Sequence, residues 1–147
     1  MKNFNVLSIL LGSIITIGSI IVLENLLCMF YFYPYGGILL NDEVLFKNAA
    51  EALPLSFYVL ITCLNLAVSF IAGTFPVIMG DEQLKHSCII GGITSLFAGM
   101  NFYLIPFPFW YHTLSMLLFI PSSYLGGYVL KKVVMQLPVA VLFINEA

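Results

Sequence analysis

Residues 6–35 read VLSILLGSIITIGSIIVLENLLCMFYFYPY, thirty positions with one charge, Glu24, and Asn25 beside it. About 20 consecutive apolar residues suffice to cross the hydrocarbon core of a bilayer, so this stretch is expected to cross one with length to spare. A carboxylate inside such a span costs about 2.5–3.5 kcal/mol on insertion scales. Glu24 is therefore expected to face protein or trapped water, and that requires further helices around it.

The rest of the chain has the composition to supply them. Its 147 residues are 61% hydrophobic and 8% charged, against about 25% charged in soluble domains, so there is too little polar surface to coat a water-soluble globule. One transmembrane domain covering 1–147 is expected, with no separate soluble domain. Hydropathy and turn residues divide it into four helices at about 5–33, 54–79, 85–105 and 110–130, followed by a short apolar tail at 133–144. Between the first two lies a polar connector with Asp42, Glu43, Lys47 and Glu51, and Gly80, Asp81, Glu82 and Gln83 form the next turn. Pro106 and Pro108 stop the third helix and start the fourth. The first apolar run is much longer than the roughly 7–15 residues of a signal-peptide core, so it is read as a retained helix. The predicted fold is an all-α, four-helix transmembrane bundle.

Lysines set the expected orientation. Lys2, Lys85, Lys131 and Lys132 fall on one side, whereas the opposite side has the acidic connector with Lys47 and an uncharged hairpin. Both termini are thus expected in the cytoplasm, in a bacterial inner membrane. The aromatic residues agree. Tyr31, Phe32, Tyr33 and Tyr35 end the first helix, and Phe102, Tyr103, Phe107, Phe109, Trp110 and Tyr111 surround the hairpin. Both groups would lie at the outer interface, where amphipathic rings concentrate.

Helices in lipid associate through small residues and interhelical hydrogen bonds. Small residues recur four apart in each predicted helix: Ser8, Gly12 and Thr16; Ser69 and Gly73; Gly91, Ser95 and Gly99; Ser122 with Gly126 and Ser123 with Gly127. Gly12, Gly73, Gly91, Ser95, Gly99 and Gly126 are the expected packing positions, and the triple stripe puts the third helix centrally.

Glu24 lies seven residues before Tyr31, about 10 Å below the aromatic belt at 1.5 Å per residue. Asn101 and His112 lie just inside the belt on the third and fourth helices. Glu24, Asn25, Asn101 and His112 are therefore the candidate intramembrane polar cluster, with Asn65 deeper. Such a cluster locks the helices in register, handles a proton, cation or ligand, or, through Glu24, anchors the transmembrane helix of a partner.

Several function classes are excluded at this level. Arginine is absent, which counts against phosphate and nucleic-acid binding. Cys28, Cys63 and Cys88 are odd in number and show no CxxC or His/Cys spacing, so neither a zinc site nor a disulfide framework is expected. No catalytic constellation is legible, and no cofactor or metal is expected.

Asn48, Glu51, Pro54 and Phe57 lie in a ten-residue stretch that resembles the opening of the second helix in membrane-associated eicosanoid and glutathione proteins. Their glutathione site relies on arginines, so no such site carries over. A broader likeness rests on Glu24, the 33–37 segment YPYGG, Gly91-Gly92, the 98–101 segment AGMN, the 105–110 segment IPFPFW and the 118–127 segment LFIPSSYLGG. In these blocks the chain resembles uncharacterised small four-helix integral membrane proteins of bacteria. That resemblance implies the topology already read, and a histidine or small polar group shortly after the glutamate. Here those positions are Leu26, Leu27 and Cys28.

The leading expectation is a non-enzymatic accessory or structural subunit of a larger membrane complex, with lipid and other membrane proteins, or further copies of itself, as partners. The alternatives are a homo-oligomeric channel or transporter using Glu24, Asn101 and His112, and a membrane enzyme acting on a lipophilic substrate.

Overall fold

The computed structural model describes residues 6–32, 48, 50–79, 84–104 and 107–144. Asp42, Glu43, Lys47, Tyr33, Tyr35, Lys2 and the 80–83 turn lie outside the described residues, as do the side chains of Phe32, Phe102 and Tyr103.

Four helices make up the described architecture: α1 (Val6–Phe32), α2 (Leu55–Ile78), α3 (Leu84–Leu104) and α4 (Phe109–Ile144). Among the described residues there is no strand. Three of the helices, over Val6–Tyr31, Leu55–Ile78 and Phe109–Met135, are long and apolar enough to cross a membrane. The 21-residue α3 opens on Lys85, His86 and Ser87 and has lower hydropathy. Its polar residues His86, Ser87, Thr94 and Ser95 are buried within the bundle. Pro54 caps the start of α2 in an extended conformation (φ −66°, ψ 151°), as suits a residue with fixed φ and no N–H. Beyond residue 130, α4 runs on without a break through Lys131, Lys132 and the 133–144 stretch, where a separate tail was expected.

The contacts alternate the helices up and down. Gly12 meets Ala72, Glu24 meets Asn65 and Tyr31 meets Phe57, so α1 and α2 are antiparallel. Ser123 bonds Ser87 and Met116 meets Gly99, so α3 and α4 are antiparallel as well. The most extensive contacts join α4 to α2 and to α3, and α3 touches all three other helices.

Small residues make these approaches close. A methyl group added at Gly73 would collide with the Ser123 backbone, and one at Gly126 with the Phe70 carbonyl. One at Gly91 would come within 2.7 Å of the Ile120 Cα, and one at Gly12 within 2.6 Å of the Ile90 Cδ1. Hydroxyl groups bond across the same seams. Ser69 donates to the Phe119 carbonyl at 3.1 Å, Ser122 to Leu66 at 2.8 Å and Ser95 to Met116 at 2.8 Å. Ser123 donates to the Ser87 carbonyl, and the Ser87 hydroxyl to the Gly73 carbonyl, each at 2.7 Å. These last two bonds tie α4, α3 and α2 into one node, with Gly127 fitted against it.

Two apolar clusters close the ends of the interior. Ile9, Ala72 and Ile90 form one. Phe57, Tyr58, Phe107 and Tyr111 form the other, with Tyr31, Leu27 and Cys28 packed on it. Phe57 meets Tyr31 and Phe107 edge-on, with centroids 4.7 and 6.1 Å away. The aromatic residues at the end of α1 and those around the hairpin therefore share one end of the bundle. The Tyr58 hydroxyl also donates to the Ala50 carbonyl at 2.6 Å, which pins the segment entering α2 to this cluster.

Candidate functional site

Just below the aromatic end, all four helices turn polar side chains towards one small cavity. Glu24 from α1 is 8% exposed and Asn65 from α2 is 2% exposed. The Asn65 Nδ2 donates to Glu24 Oε1 at 3.0 Å, and the Tyr111 hydroxyl from α4 donates to the same oxygen at 3.3 Å. Asn65 Nδ2 also lies 3.3 Å from the Tyr111 oxygen, so carboxylate, amide and phenol form a closed triangle over three helices. Asn101 and Thr94 from α3, with His112 and Ser115 from α4, line the remaining wall. Ile20, Phe97, Phe107 and Phe119 complete the lining with apolar surface.

Helix periodicity explains the convergence. Tyr111 and Ser115 are four apart on α4, and Thr94 and Asn101 are seven apart on α3, so each pair shares a face. Buried Ile20 stands one turn before Glu24 on α1. Asn25 is displaced by about 100° and is exposed; its amide donates to the Ile21 carbonyl of its own helix at 2.7 Å. The cluster thus brings together Glu24, Asn101 and His112, and Asn25 lies outside it.

Asn65 and Tyr111 are the residues that sequence reasoning did not group with Glu24. Asn65 is ten residues into α2 and Glu24 eight residues before the end of antiparallel α1, a difference in depth of about 3 Å, which a glutamate side chain spans. Tyr111 reads as an interfacial aromatic, yet it is 2% exposed, with its hydroxyl turned inward. The sequence signal that could have found it is the four-residue spacing of Tyr111 and Ser115, which puts two hydroxyls on one helix face. His112 is likewise buried rather than interfacial, flanked by Phe107 and Tyr111 with centroids 6.2 and 5.4 Å away.

The hydrogen bonds matter because a desolvated carboxylate costs several kcal/mol, while each bond to a charged group returns about 1.5–3 kcal/mol. Two donors on one oxygen therefore offset much of the cost. The space left at the centre of the cavity is about 10 Å³ for the centre of a water-sized sphere. That is room for about one water, far below the roughly 300–1,000 Å³ of small-molecule pockets. Among the described residues no group of three or more His, Cys, Asp and Glu side chains is arranged to hold a metal ion. The chain matches no protein-family model, no curated protein and no solved structure.

Proposed function

We propose that this chain is an integral membrane protein that crosses the bilayer four times, with both ends cytoplasmic in a bacterial inner membrane, and serves as a non-enzymatic subunit of a larger membrane assembly. The observation that carries this reading is the closure of the one intramembrane carboxylate by its own bundle. Glu24 is held by Asn65 and Tyr111, in a cavity with room for about one water. Five further hydroxyls bond across helices: Ser69, Ser87, Ser95, Ser122 and Ser123 each donate to a carbonyl of a neighbouring helix. Interior polarity of this kind holds helices in register.

The competing readings draw less support. A pore formed between several copies would be lined by outward-facing polar residues, whereas Glu24 and His112 face the interior of a single copy. An enzyme acting on a lipophilic substrate needs a pocket of substrate size, and the cavity falls short of that by more than an order of magnitude.

The test is purification of a tagged copy from its native membrane in a mild detergent, followed by native mass measurement. Recovery in fixed stoichiometry with other membrane subunits is expected. Recovery as a monomer or closed homo-oligomer that conducts ions in liposomes would overturn the subunit reading in favour of a self-contained transporter.

A further inference from the structure

We propose that the cavity beneath the aromatic end is a binding site for one small monovalent cation of the sodium type, held chiefly by the Glu24 carboxylate and the Asn65 amide oxygen. The argument begins with an imbalance at Asn65. Its Nδ2 donates to Glu24 and lies against Tyr111, while its Oδ1, in a side chain 2% exposed, is buried with no hydrogen-bond partner among the described residues. Buried acceptors of this kind are rare, and each calls for an explanation.

The surrounding chemistry narrows the occupant. Oxygen-bearing side chains reach the cavity from every helix: Glu24, Asn65, Thr94, Asn101, Tyr111 and Ser115. Hard oxygen donors suit hard cations and not the soft transition metals. Charge sets the valence. Among the described residues Glu24 is the only carboxylate lining the cavity, so one positive charge leaves the site neutral, whereas a divalent ion would leave a net charge deep in an apolar bundle. Size completes the choice. A space of about 10 Å³ for the centre of a water-sized sphere admits a bare ion and not a hydrated one, and a carboxylate attracts the smaller sodium or lithium ion, which approaches more closely, more strongly than potassium.

An ion held by Glu24 and Asn65 would bridge α1 and α2 within a cavity lined by all four helices, so its binding would be read as stability. The purified full-length chain in detergent micelles is heated in equimolar sodium, potassium or choline chloride. Sodium raises the unfolding midpoint by a few degrees over potassium and choline, with a saturating concentration dependence. It also broadens the sodium-23 resonance, and lithium reverses the broadening by competition. Glu24→Gln, which keeps the shape and removes the charge, abolishes both effects. Should that variant fail to fold, the sodium-against-potassium contrast and the lithium competition on the unaltered chain decide the matter. Equal midpoints in the three salts without broadening would overturn the proposal, leaving the site to a water or a proton. The inference stands apart from the subunit reading, because assembly composition and salt-specific stability come from separate experiments.

Discussion

At the scale of the residue, the decisive fact is that one carboxylate oxygen receives donors from two other helices. A hydrogen bond between membrane helices is worth about 0.6 kcal/mol on average and about 1.7 at most in double-mutant cycles, but stranding a buried partner costs about 1–3 kcal/mol. The two figures give different expectations for different substitutions. Tyr111→Phe removes one donor and leaves Asn65 on the carboxylate, so it is expected to cost about 1 kcal/mol. Glu24→Ala removes the acceptor shared by Asn65 Nδ2 and the Tyr111 hydroxyl and leaves them only their 3.3 Å contact with each other, so about 2–3 kcal/mol is expected. Reversible unfolding in mixed micelles measures both. A double-mutant cycle on Glu24 and Asn65 should then give a coupling energy of about 1 kcal/mol. A coupling of zero would mean that the 3.0 Å contact does not hold α1 to α2.

At the scale of the element, glycines of similar appearance in sequence have different roles. Gly73 and Gly126 admit the backbones of Ser123 and Phe70, whereas Gly18 and Gly92 have nothing within 4 Å of an added methyl group. Gly73→Ala and Gly126→Ala must force α2 and α4 apart, at a cost of about 2–3 kcal/mol. Gly92→Ala should be neutral, or stabilising by up to about 1 kcal/mol through helix propensity. Gly99→Ala falls between, because its nearest neighbour is the mobile Met116 methyl at 3.0 Å. Ranked unfolding midpoints of the four variants test the order. The small-residue stripes were legible because their four-residue spacing is a property of the helix itself. The partner of each stripe was not, since spacing along one helix is silent about which neighbour faces it. The same limit explains Asn65 and Tyr111. Their distance along their own helices could be counted, but their rotation towards Glu24 depends on how three helices pack. The run of α4 past Lys131 was also hidden, because a pair of lysines marks a membrane boundary without ending a helix.

At the scale of the whole molecule, the alternation of four helices makes the proposed crossings interdependent. From Phe109 to Lys131, α4 rises about 33 Å, close to the roughly 30 Å thickness of the hydrocarbon core. The aromatic cluster around Phe57 and Phe107 and the pair Lys131 and Lys132 therefore mark opposite faces in the proposed membrane setting. In that proposed setting α3, despite its lower hydropathy, would cross with the others, because it packs antiparallel to α4 and buries its own polar groups. This arrangement predicts a labelling pattern. Cys28, Cys63 and Cys88 are first replaced by serine, and single cysteines are then placed at the exposed positions Glu51 and Lys132. In intact cells stripped of any outer membrane, an impermeant maleimide should label Glu51→Cys and spare Lys132→Cys; inverted vesicles should give the opposite result. Reversal of the whole pattern would invert the orientation and leave the fold intact. Labelling of both positions from one side would be incompatible with an α4 that begins at the aromatic end and carries its lysines to the other face. In that case the Glu24 cavity could not lie inside a membrane-spanning bundle.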